Sequence, residues 1–159
     1  MITGLFLITS TVVKPIELLQ EVRPQATTFG FLFHVANPCN PQFRSAVDDM
    51  AGAHGIKVEI IEVEGMAALA DAFGRLQSLG AEGVAIISDP VLGSNFAEIA
   101  DLARRHKLPS SGAGRDFVDA GGLFALSTNF PAMAKRSAWF VDQILKGTPP
   151  GELAAEQAP

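Results

Sequence analysis

The chain has 159 residues and a formal net charge of −5, from 12 Lys+Arg against 17 Asp+Glu. With 48% hydrophobic and 18% charged residues it can bury a core, which argues against disorder, and its length fits one domain. The acidic balance argues against a duplex nucleic-acid binder or a polybasic membrane-surface protein, since both need a Lys/Arg face.

Cys39 is the single cysteine, so the chain has no internal disulfide and no cysteine cluster for zinc. No stretch reaches the ~18–20 apolar residues that span a bilayer. Residues 1–13 (MITGLFLITSTVV) resemble a short signal-peptide core, yet no Lys or Arg precedes the apolar run and no small-x-small site follows. They read as a strand or chain crossing that enters a core. Residues 28–34 (TFGFLFH) suit a buried strand, with Phe29, Phe31 and Phe33 as core. Asn37-Pro38-Cys39-Asn40-Pro41 ends it, and Asn40 can N-cap a helix over 41–54 whose first position is Pro41. That helix sets Phe43, Val47 and Met50 on one face and stops at Gly55.

Residues 57–63 (KVEIIEV) predict a second strand, and 66–79 a helix with Ala70, Phe73 and Leu76 at helical spacing. Residues 83–87 (GVAII) read as a strand apolar on both faces, as parallel strands under helices are. Ser94 can cap a helix over 95–105 that buries Phe96, Ile99, Ala100 and Ala103. A fourth strand over 108–111 runs into Gly112-Ala113-Gly114, followed by a short helix over 115–120, a strand over 123–126, and a last helix from Asn129 and Pro131 to Gly147. Residues 148–159 shift to Pro, Ala, Gly and Glu and read as a tail or linker after an α/β lobe over 1–147. Strand and helix alternate with short connections, which predicts a parallel, doubly wound (flavodoxin-like or Rossmann-like) α/β sheet.

Ligands of such sheets sit at the carboxyl ends of strands, near the reversal of strand order. Three loops leave strands at that edge, and they carry Asn37, Asn40, Asp89, Ser94, Ser110 and Ser111, short polar groups suited to a small polar ligand. The same residue types are favoured in turns and caps, and for Asn40, Ser94 and Asp89 both roles stay open. Catalytic constellations are thin. His34, His54 and His106 fall on different elements, no Gly-x-Ser-x-Gly exists, and Cys39 near His34 has no strained elbow around it. Gly112-Ala113-Gly114 lacks the third glycine of a phosphate loop, no Gly-Lys-Ser/Thr occurs, and no metal-ligand spacing appears. The residues imply no cofactor and a site that holds rather than transforms.

Several strings resemble the ABC-importer substrate-binding proteins of the tryptophan/tyrosine-binding, TrpX-like type. They are Thr3-Gly4, Ile16-Glu17-Leu18-Leu19 with Pro24, Asn37-Pro38-x-Asn40-Pro41, Ser88-Asp89-Pro90, Leu102-Ala103-x-x-His106-x-Leu108-Pro109, Phe117-Val118-x-Ala120-Gly121-Gly122-Leu123, and Val141-Asp142-x-Ile144-Leu145-Lys146-Gly147. The resemblance implies a two-lobed periplasmic-binding-protein fold that closes on its ligand, of which this chain matches the second lobe with hinge segments. It implies an ABC permease as partner, an extracytoplasmic location for relatives that carry a leader, and a ligand cleft lined here by Asn37, Asn40, Asp89 and Asn129. An amino-acid ligand would set its ammonium on Asp89. The Gly112-Ala113-Gly114 turn removes side chains that relatives place there, which speaks against an aromatic ligand. With the first lobe unmatched, residues 5–8 and the last helix (Met133, Trp139, Phe140, Ile144) expose apolar surface, which implies a homodimer. Two other readings are a binding-protein-derived structural or regulatory module without solute, and a small flavodoxin-like nucleotide- or flavin-binding enzyme.

Overall fold

The computed structural model describes residues 3–6 and 10–157, and the chain divides into two compact units, Thr9–Ser127 and Met1–Ile8 with Thr128–Pro159. The larger unit holds five parallel strands, β2 Thr28–His34, β3 Lys57–Val63, β4 Val84–Ile86, β5 Ser110–Gly112 and β6 Phe124–Ala125, in the order β3-β2-β4-β5-β6. β2 and β3 pair along seven residues, from Thr28 with Lys57 to His34 with Val63, and Gly30 to Leu32 pair with β4 on the other side. Phe29, Phe31, Leu32 and Phe33 are buried because β2 lies inside the sheet with both faces covered.

The helices of this unit are α1 Ser10–Val22, α2 Asn40–His54, α3 Leu69–Ser78, α4 Pro90–Gly93, α5 Phe96–Arg105 and α6 Arg115–Asp119. Helix α1 corrects the reading of the first thirteen residues as a strand or crossing for the part that is described. β-Branched Thr11, Val12 and Val13 and an internal Pro15 disguise a helix that buries Val12, Ile16 and Leu19. Tertiary packing of that apolar face outweighs its propensities. Helix α2 starts one residue early, with Cys39 rather than Asn40 as N-cap and no side-chain cap bond. It ends as its sequence predicts, at Gly55 with φ 64° and a backbone N–H returned to Ala51. Helix α3 follows a 3-10 turn at Met66–Ala68 and buries Leu69, Ala72, Phe73 and Leu76, while Ala70 is exposed.

Two close approaches fix the layers. A Cβ on Gly30 would stand 2.4 Å from Leu76 Cδ2, so α3 packs on the bare backbone of β2. The fully buried Phe117 ring lies between Gly112 and Gly122, where added Cβ atoms would stand 2.5 Å and 2.1 Å from it. Part of the Phe117–Leu123 string is thus a packing motif: Gly122, with Gly112 from β5, makes the slot that Phe117 fills.

The smaller unit contains β1 Leu5–Phe6, α7 Phe130–Leu145, a 3-10 turn at Pro150–Glu152 and β7 Glu156–Gln157. β1 and β7 pair in parallel, with the Glu156 N–H donating to Gly4 O at 2.9 Å. Arg136 Nε donates to Glu156 Oε2 at 2.7 Å, and its guanidinium lies 3.8 Å from the Trp139 ring centroid. The hydrogen bond from Arg136 holds the Glu156 carboxyl below the usual carboxylate range. Residues 148–157, which read as a tail, here carry a turn and a paired strand although none of those assigned a burial class is buried. Among the described residues no helix is long and apolar enough to cross a membrane.

Candidate functional site

From β2 the chain steps to β3 on one side, then crosses back to β4 on the other. The loops after β2 and β4 therefore diverge, and their carboxyl ends flank the crevice where parallel sheets bind ligands. Asn37 and Asp89 meet there. Asn37 Nδ2 donates to Asp89 Oδ2 at 3.0 Å, joining two loops 52 residues apart in sequence, and Asn37 Oδ1 accepts from the Cys39 N–H at 3.0 Å.

Asp89 has extended backbone (φ −144°, ψ 138°) and caps α4, its Oδ1 accepting from Val91 N–H at 2.9 Å and Leu92 N–H at 3.4 Å. Pro90 occupies the first helical turn, where its missing N–H costs nothing. The carboxylate is buried, and a charge so placed needs these donors to offset lost hydration. His34 Nδ1 lies 3.6 Å from Asp89 Oδ1, which makes the pair an ionic contact only when the ring is protonated. Asn40 Nδ2 donates to the His34 carbonyl at 2.9 Å, while its Oδ1 is buried without a partner.

Beside this cluster, on the β3 side of β2, is an open depression of about 470 Å³, bordered by Val35, Asn37, Pro38, Asn40, Arg44 and Glu62. Arg44 and Glu62 pair at 2.9 Å across its rim. The depression offers amides and an ion pair, and Asn37 joins it to the buried Asp89 carboxylate, a set suited to a small zwitterionic or polyhydroxylated molecule. Among the described residues no group of His, Cys, Asp and Glu is arranged to hold a metal.

The structure thus brings Asn37, Asn40 and Asp89 together. Ser94 does not cap α5: it is the C-cap of the unforeseen turn α4, exposed, with its hydroxyl donating to Pro90 O at 2.8 Å, and Asn95 precedes α5 instead. Ser110 and Ser111 are buried strand residues of β5 rather than loop residues, and Ser111 Oγ has no partner. Asn129 belongs to the smaller unit, where its Oδ1 accepts from Ala132 N–H at 3.0 Å and caps α7. Sequence reasoning passed over His34 beside Asp89 and the Arg44–Glu62 rim. Asp89-Pro90 was the available signal for α4, since Asp followed by Pro is a helix start.

The family model described as ABC transporter substrate binding protein matches residues 1–159. No curated protein sequence matches significantly. Among solved structures, the chain is similar to a conserved domain protein from Vibrio cholerae, at 22% identity and TM-score 0.82, over 99% of this chain and 52% of that one. It is also similar to an ABC domain in complex with L-Trp from Streptococcus pneumonia, at 18% identity and TM-score 0.76, over 92% and 51%. A third is a substrate-binding protein with adhesive properties from Clostridium difficile in its ligand-free, open form, at 19% identity and TM-score 0.71, over 91% and 49%. The chain spans about half the length of each, and at these identities the likeness speaks for the fold.

Proposed function

Because the chain belongs to the ABC transporter substrate-binding protein family, we propose that it holds a small polar solute for an ABC importer, at the crevice between β2 and β4, without catalysis. The observation that carries this reading is the Asn37–Asp89 bridge at the reversal of strand order. An amino acid is the favoured solute class. Asp89 Oδ1 is committed to two backbone N–H groups and Oδ2 to one amide proton, which leaves an Oδ2 lone pair for a ligand ammonium. The second Nδ2 proton of Asn37 suits the ligand carboxylate. Ser94 enters only as the support of α4. A permease partner and an extracytoplasmic location belong to the same reading, as does a second copy of the chain as partner through α7. Of the other segment expected in that contact, Leu7 and Ile8 lie outside the described residues.

A thermal-shift screen of the chain against amino acids, sugars, nucleotides and flavin tests the proposal. A ligand at a hundredfold its Kd stabilises the native state by about 2.7 kcal/mol. An amino-acid shift that Asp89→Asn removes supports it. A flavin or nucleotide shift, or silence across the panel at millimolar concentrations, counts against it; silence favours the reading in which Asn37 and Asp89 only tie two loops together.

A further inference from the structure

Helix α7 has a partly covered face and, opposite it, an exposed apolar one. Met133, Arg136, Phe140 and Gln143 recur at helical spacing on the covered side, where Phe140 is 5% exposed. On the opposite side Ala134, Ala138, Val141 and Leu145 are all exposed, Val141 at 55% and Leu145 at 82%. Their spacing of four, three and four is the a/d seam of a helix that packs on another helix. A helix facing water on that side has no use for such a seam, and a contiguous apolar stripe of this kind marks an interface.

Resting on the reading that a second copy of this chain is a partner through α7, we propose that the seam pairs with that copy's α7 seam, running antiparallel. The seam is small at its start and large at its end, and antiparallel pairing turns that taper into complementarity. Ala134 meets the second copy's Leu145 and Ala138 meets its Val141, with both layers repeated by the two-fold axis. A parallel pair would stack Leu on Leu at one end and leave Ala on Ala at the other. Charge selects the same direction. Lys135 and Asp142 each follow a seam position on the same flank, both exposed. In antiparallel helices that flank meets itself, so Lys135 faces the second copy's Asp142, twice. In parallel helices the flank would instead meet Phe130 and Ser137, which offer no charge. Asp142 already accepts from Lys146 at 2.8 Å in its own chain, an exposed pair that is cheap to share.

The test is light scattering of the full chain from about 1 to 100 µM, with far-UV circular dichroism as a check on folding. A dimer is expected, and Leu145→Lys, which sets two cations in the end layers, should weaken it about tenfold or more at unchanged helicity. Lys135→Asp should weaken it, and Lys135→Asp with Asp142→Lys should restore it. A monomer across the range overturns the proposal. So does a dimer indifferent to Leu145→Lys, or a charge-reversed double variant no better than the single one, which would mean that another register or another polypeptide covers α7.

Discussion

Gly122→Ala isolates a purely steric demand. The new Cβ would stand 2.1 Å from Phe117 Cε1, 2.3 Å from Cδ1 and 2.7 Å from Cζ, distances no real Cβ keeps. The ring cannot swing aside: it is fully buried, and the Phe96 ring meets it edge-on at 5.2 Å. Overpacking of a tight core costs about 1–3 kcal/mol, and a rigid ring against backbone belongs at the upper end, so we expect a loss of about 2–3 kcal/mol. For a chain of this size that lowers Tm by roughly 4–12 °C. Urea unfolding followed by far-UV circular dichroism measures it directly. Phe117→Leu in the Gly122→Ala background should recover part of the loss, with a coupling of about 1–2 kcal/mol in the double-mutant cycle. Gly121→Ala is the control next door, with open space around its Cβ but φ 103°, so its cost is conformational and Phe117→Leu should not relieve it. A Gly122→Ala protein as stable as the parent, or losses that simply add, would refute the argument that these glycines exist to seat Phe117.

Gly30→Ala should cost about 1–3 kcal/mol in urea through its clash with Leu76, and Leu76→Val should relieve part of it because the offending atom ends a flexible side chain. Asp89→Ala should lose about 1–2 kcal/mol as the cap of α4 and the partner of Asn37, whereas Asp89→Asn, which keeps an acceptor, should lose less; chemical unfolding of both variants decides. Glu156 has a carboxyl pKa lowered by Arg136, so its contribution is complete above the ordinary carboxylate value and fades as pH falls through the lowered one. Arg136 then loosens from Trp139, the single tryptophan, and fluorescence should change with a midpoint below the usual glutamate range. In Glu156→Gln that transition should be missing.

The alternation of strands and helices was plain in the sequence because apolar runs such as TFGFLFH and GVAII are bounded by Gly, Pro and Asn. Helix α1 was not, since Thr11, Val12, Val13 and Pro15 argue locally against a helix that Ile16 and Leu19 stabilise only by tertiary burial. At the candidate site, Asn37, Asn40 and Asp89 were legible from their place after strands. The bond between Asn37 and Asp89 was not, because it depends on β4 lying beside β2 with β3 on the far side, and strand order leaves no mark in local pattern. Ser94 misled for a related reason: one serine before a helix looks the same whether it opens that helix or closes the turn ahead of it.

The pairing of β1 with β7 joins Leu5 to Glu156 and Phe6 to Gln157, the largest sequence separation in the fold. On a ribosome adding roughly 5–20 residues per second, Leu5 emerges on the order of ten to thirty seconds before its partner strand is made. The strands of the larger unit, from Thr28 to Ala125, are complete well before then and can fold as they appear. The pairing of β1 with β7 therefore forms after the strands of the larger unit are made, and until then the edge that β7 will fill is a place for a chaperone or a neighbouring nascent chain to bind.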